Sequence, residues 1–73
     1  MLFDIGSMKN TIKIERARHN MTQQDLAEKV SVSRQTINSI EAGKYVPSTV
    51  LSLKISKVFG IGLEEIFELE EGD

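Results

Sequence analysis

The stretch Gln23-Gln24-Asp25-Leu26-Ala27-Glu28-Lys29-Val30-Ser31-Val32-Ser33-Arg34-Gln35-Thr36-Ile37-Asn38-Ser39-Ile40-Glu41 decides the fold. It reads as two short helices joined by a brief turn. Thr22 precedes the first as its N-cap, with Asp25 three residues on in an approximate capping box. From Gln23 to Val30 the apolar residues Leu26, Ala27 and Val30 share one face. Ser31-Val32-Ser33 interrupts the pattern. Ser33 then caps a second helix, Arg34 to Glu41 or Ala42, with Ile37 and Ile40 inward. Gly43 stands where a helix stops. Two helices crossing steeply need a small residue at the crossing, and Ala27 supplies it. The turn needs an unusual backbone conformation four positions later, where Ser31 stands. A positive φ there would carry strain of order 1 kcal/mol.

Outward from this pair the pattern stays helical. Asn10 to Asn20 reads as a helix with Ile12, Ala17 and Met21, joined by Ile14 and Arg18, as its stripe. Asn20 closes it, since Asn tolerates the left-handed conformation. After a loop, Lys44 to Pro47, Ser48 caps a fourth helix, Thr49 to Phe59. Leu51, Ile55, Val58 and Phe59 point inward and Gly60 ends it. A short fifth helix runs Leu63 to Phe67. The expectation is an all-α fold of five helices over residues 10–67, with the motif at 23–41. Residues 1–9 form an N-terminal extension able to make a short strand, and 68–73 an acidic tail. The alternation Phe67-Glu68-Leu69-Glu70 allows a second strand.

Composition limits the function. The chain has 73 residues, 40% apolar and 27% charged, and no cysteine. Disulfides, thiolate metal sites and thiol nucleophiles are thereby excluded. No apolar run is long enough to span a bilayer and no signal peptide is visible, so the expected location is cytoplasmic. A domain this small buries only about 60% of its unfolded surface, which makes a second copy a source of stability. The net charge of −2 argues against nucleic acid, but its distribution argues for it. All nine Lys and Arg lie between Met8 and Val58 beside only four acids, while the last fifteen residues hold six acids and no base. A basic body with an acidic end suits a surface that meets phosphate, although a solvated exterior and a solubilising tail would look the same.

The outward residues at the start of the second motif helix are polar and none is acidic. That is what a helix in a DNA major groove must present. Arg34 can reach guanine O6 and N7, and Gln35 can pair with adenine N6 and N7; a phosphate contact is the alternative for Arg34. Asn38 and Ser39, one turn on, complete the expected base-contacting set. Ser33 and Thr36 either cap the helix or bond phosphate. Ser48 offers a hydroxyl and free helix amides to phosphate. Lys29, Lys54 and Lys57 read as solvated charges. His19 has Glu15 four residues before it, a common surface pair, and no metal site or cofactor is expected. No phosphate loop, nucleophile motif or carboxylate dyad is present, so no enzyme is expected.

The pieces Gln23-Gln24-Asp25-Leu26-Ala27, Val32-Ser33-Arg34-Gln35-Thr36-Ile37-Asn38-Ser39-Ile40-Glu41 and Gly43-Lys44-Tyr45-Val46-Pro47-Ser48 resemble the Cro and phage-repressor-like helix-turn-helix family, also called Xre-like. The likeness runs from about Thr11 to Phe67 and is greatest to a branch of very small bacterial and archaeal regulators. It implies a lambda-repressor-like five-helix domain that binds double-stranded operator DNA as a homodimer. The family often has Gly where this chain has Ser31. The resemblance also implies phosphate contacts from Gln23, Lys44 and Tyr45, with Gln23 bracing the recognition helix as well, and with burial of Tyr45 against Pro47 as the alternative. It implies an ion pair between Arg16 and Glu41. Leu63, Ile66, Phe67 and Leu69, with Leu2, Phe3 and Ile5, suggest a dimer interface that includes terminal strands; closure of the monomer core by the fifth helix is the plainer reading. The function expected is a sequence-specific transcriptional regulator, a repressor on a palindromic operator. The alternative is an antitoxin or adaptor docking a protein partner. No separate domain for a small-molecule effector is evident.

Overall fold

A computed structural model describes residues 8–70. Leu2, Phe3 and Ile5, and the tail residues Glu71 and Asp73, lie outside the described residues. The elements in order are β1 Met8–Asn10, α1 Ile12–Arg18, α2 Gln23–Val30, α3 Arg34–Glu41, α4 Thr49–Phe59, α5 Leu63–Ile66 and β2 Phe67–Leu69.

Local chemistry sets the helix boundaries. Thr22 Oγ1 accepts from Asp25 N–H at 2.9 Å, and Asp25 Oδ2 accepts from Thr22 N–H at 3.0 Å, completing the capping box. These bonds to Thr22 hold the Asp25 carboxyl below its ordinary range. Its contribution to stability is therefore present above the usual carboxylate range and lost as pH falls through its lowered value. Ser33 and Ser48 cap α3 and α4 through Thr36 and Leu51 N–H.

The first three helices end in one way. The chain turns left-handed at Asn20 (φ 55°), Ser31 (φ 61°) and Gly43 (φ 76°). The residue after each turns back to donate to a carbonyl five positions earlier: Met21 to Arg16, Val32 to Ala27, Lys44 to Ser39. This is the Schellman arrangement, which satisfies carbonyls that a helix end otherwise leaves free. Val32 also packs against the core, pinning the turn between α2 and α3.

The core gathers Ile12, Leu26, Ala27, Val30, Ile37, Ile40, Leu51, Ile55, Phe59 and Ile66. Ala27 is wholly buried, as a close approach of α3 to α2 requires. The reading of α1 needs correction. Ile14 is 54% exposed and Ala17 is exposed, whereas Glu15 is buried. The inward face of α1 thus carries Ile12 and Glu15 rather than the apolar stripe. Glu15 accepts from Arg18 Nη1 at 3.0 Å. Val58 is only partly buried.

The ends also differ from expectation. Asn10 lies in β1 and Phe67 in β2, so α1 and α5 are each shorter than their sequence patterns, and the expected acidic tail begins as a strand. β1 and β2 pair antiparallel within the chain, Met8 with Leu69, Lys9 with Glu68 and Asn10 with Phe67. Opposite charges at Lys9 and Glu68 favour this register. A lone two-stranded ribbon is marginal, and side chains tie this one down. Asn10 Nδ2 donates to Ile40 O at 2.9 Å and its Oδ1 accepts from Ile12 N–H at 3.2 Å. One amide therefore caps α1 and holds the end of α3. Thr11 N–H donates to Ile66 O at 2.9 Å, continuing the tie between the ends.

Ser31 offers a direct test of the turn. Its side chain is exposed and its φ is positive, so Ser31→Gly should raise unfolding stability by about 1 kcal/mol. Chemical denaturation measures this; an unchanged or lower midpoint would mean that the left-handed turn carries no strain.

Candidate nucleic-acid interface

The N-terminal turn of α3 brings several polar side chains to one surface. Ser33, Gln35, Thr36 and Ser39 line a shallow cleft with Lys44 and Tyr45 from the loop that follows. The helix supplies Gln35 and Ser39 one turn apart, and the Schellman turn at Gly43 folds Lys44 and Tyr45 back beside them. Tyr45 is 47% exposed while Pro47 is buried, so its phenol faces the cleft rather than the core. Arg34 and Asn38 lie outside the residues lining this cleft and form a second exposed row, also one turn apart. Ser48 is exposed at the start of α4.

Hydrogen bonding separates side chains that are free from those already engaged. Among the described residues Arg34, Gln35, Lys44 and Tyr45 have no polar partner within the chain, leaving their donors for a ligand. Ser33 serves as the cap of α3, and its hydroxyl lies 2.9 Å from that of Thr36. One proton of the two hydroxyls is used in that bond and one remains. Ser48 spends an acceptor on its cap and keeps its proton.

Behind this surface lies an ion pair. Arg16 Nε donates to Glu41 Oε2 at 2.6 Å and Arg16 Nη2 to Glu41 Oε1 at 3.1 Å. The two side chains are 13% and 9% exposed. Arg16 Nη1 donates to Met21 O at 3.0 Å, so the fork also grips the turn between α1 and α2. The bond from Glu41, against a smaller opposing effect of burial, raises the Arg16 guanidinium above its ordinary pKa. Glu41 is the only acid on α3, and Arg16 offsets its charge. The helix can therefore face an anion without self-made repulsion.

Gln23 takes up the bracing part of its expected role. Its Nε2 donates to Asn38 Oδ1 at 3.2 Å and to Glu41 Oε1 at 3.1 Å. Both amide protons are thus spent inside the protein. They form the brace between α2 and α3. What the start of α2 retains for an anion is its free backbone N–H groups. The brace joins residues fifteen positions apart on different helices; its partners, Asn38 and Glu41, are revealed only by the helix-helix docking.

Neighbouring features do not extend the site. His19 Nδ1 lies 2.9 Å from Glu15 O, and its ring meets Phe59 at 5.3 Å between centroids. The Glu15 carboxylate pairs with Arg18 instead of His19. Among the described residues no cluster of three or more His, Cys, Asp or Glu could hold a metal. Nor is any described helix long and apolar enough to cross a membrane.

Known proteins resemble this chain in sequence and fold. A helix-turn-helix family model matches residues 12–66. An uncharacterised HTH-type transcriptional regulator of Methanocaldococcus jannaschii is 56% identical over 66 residues, covering 90% of this chain and all of the relative. Another from Bacillus subtilis is 52% identical over 64 residues, covering 88% and 97% of the two chains. The crystal structure of a putative DNA-binding protein from Bacteroides fragilis superposes with a TM-score of 0.75 at 26% identity, covering 84% of this chain and 98% of that one.

The ion pair can be tested by a double-mutant cycle. Arg16→Met strands a carboxylate that is largely buried, and should cost about 3 kcal/mol. Arg16→Met/Glu41→Leu should recover much of that loss. Equal destabilisation in the single and double variants would contradict the coupling.

Proposed function

The chain belongs to the helix-turn-helix family of DNA-binding transcriptional regulators, and from that premise we propose that it is a sequence-specific repressor that binds a palindromic operator as a homodimer. The observation that carries this reading is the surface of α3. Its first turn holds no acid, Arg34 and Gln35 are exposed and unengaged, and the one acid further along is offset from behind. In a major groove, Arg34 suits guanine O6 and N7, and Gln35 suits adenine N6 and N7. Asn38 and Ser39 sit one turn further along the same two rows. Lys44, Tyr45, Ser48 and the remaining hydroxyl proton of Ser33 and Thr36 flank these rows, where phosphates would run. Phosphate contacts supply affinity and salt dependence, and base contacts supply selectivity.

The proposed dimer uses the end built from α5 and β2. Ile66 is removed from that surface because it is buried in the chain's own core. Leu69 is 66% exposed, while Leu63 and Phe67 are half-buried; these three remain for a partner copy. Two recognition helices would then enter successive major grooves about 34 Å apart. Occupying a promoter, such a dimer represses by excluding the polymerase.

Two substitutions separate reading from holding. Gln35→Ala should weaken a sequence-selected site by about 1–3 kcal/mol and leave binding to random duplex nearly intact. Lys44→Ala should weaken both and reduce the slope of log affinity against log salt by about one. Fluorescence anisotropy on the two duplexes at several salt concentrations measures both effects. Equal losses on both duplexes for Gln35→Ala would remove it from the base readers, and an unchanged slope for Lys44→Ala would remove it from the phosphate contacts.

A further inference from the structure

The bonds behind α3 form a chain with a fixed direction. Arg16 can only donate, and it donates twice to Glu41. An ionised Glu41 can only accept. Gln23 must therefore turn its Nε2 rather than its Oε1 toward Glu41, at 3.1 Å. The second proton on that nitrogen meets Asn38 at 3.2 Å, so the Asn38 atom facing it must be Oδ1. Asn38 is exposed, and its remaining amide nitrogen carries two protons with no partner among the described residues.

We propose that Arg16 and Glu41, acting through Gln23, fix the polarity of Asn38 so that it meets DNA as a hydrogen-bond donor. An asparagine free to rotate can pair with adenine by accepting from N6 and donating to N7. Here the carbonyl is turned to Gln23, and that bidentate pairing is disfavoured. Guanine offers acceptors at N7 and O6, thymine at O4, and cytosine offers only the N4 donor. Asn38 thus selects guanine or thymine over cytosine, with no special preference for adenine. Gln23, Glu41 and Arg16 are positioning residues in this arrangement, since they touch no base. The inference rests on α3 reading the major groove and adds the chemical class of base edge that one of its residues selects.

The test compares sequence profiles from random duplex pools for the full chain and two variants, Asn38→Ala and Gln23→Met. The native protein should favour guanine or thymine over cytosine at one base pair per half-site by about three- to tenfold, the range of one net hydrogen bond. Asn38→Ala should abolish that preference and no other. Gln23→Met keeps the side chain's length but removes the donor to Asn38, freeing its amide to rotate. Its profile at that base pair should admit adenine, with preferences at the remaining positions retained. Thermal melts confirm that each variant is folded. A native preference for adenine that depends on Asn38 would overturn the inference, as would a Gln23→Met profile identical to the native one. If Asn38→Ala changes no position, Asn38 reads no base and the inference fails while the groove-reading account survives through Arg34 and Gln35. A native protein with no sequence preference at all would end both. Without DNA, slowed exchange of the Gln23 side-chain amide protons in the native protein, lost in Glu41→Leu, provides a second readout. Rapid exchange in both would contradict the fixed polarity.

Discussion

The bidentate bond between Arg16 and Glu41 constrains more of this protein than any other single interaction. It links α1 to the end of α3, and the same guanidinium holds the turn before α2 through Met21. Gln23 extends the grip to the start of α2. Three helices are thereby fixed by directional bonds as well as by the apolar core. Apolar contacts alone permit some sliding and rotation, whereas a fork on a carboxylate tolerates little. Burying two charges costs desolvation that their attraction offsets only in part, so the pair adds little net stability over apolar residues of like size. Its contribution is an orientation for α3, together with removal of the one negative charge on that helix.

The helix-turn-helix was legible because each of its parts has a local cause. Thr22, Ser33 and Ser48 are caps that bond their own helices. Ala27 and Ser31 meet a crossing and a turn that the sequence spacing already demanded. Helix α1 was less legible. It is only seven residues long, too short for periodicity to distinguish Ile14 from a core residue. Its inward face carries Glu15 and the stem of Arg16, which a search for apolar residues passes over. The terminal strands were foreseen as part of a dimer interface, but not their pairing with each other within the chain. That pairing depends on Asn10, whose amide bonds Ile40 thirty residues away.

The candidate surface was legible in kind more than in detail. Exposed, unengaged polar residues on one side of a helix can be inferred once its buried face is known, and Arg34 and Gln35 follow from that, whereas Lys44 and Tyr45, in the loop beyond α3, came from the family resemblance. Hydrogen-bond commitments cannot be inferred so simply. Gln23 was expected to brace the recognition helix as well as to meet phosphate, but that its amide binds Glu41 and Asn38 follows only from what stands within reach. Ile66 has the composition of an interface residue, yet the short α5 turns it into the core. In both cases the deciding fact is which neighbour the tertiary fold supplies, and spacing along one element does not encode it.

The proposed function makes α3 a rigidly held reader of DNA, presented twice by a symmetric dimer. Selection of binding sites from a random duplex pool at near-physiological salt, followed by sequencing, tests that claim most directly. The account predicts enrichment of an inverted repeat whose half-site centres lie about one helical turn apart. A folded protein that enriches no motif, or only an isolated half-site with no symmetric partner, would contradict it.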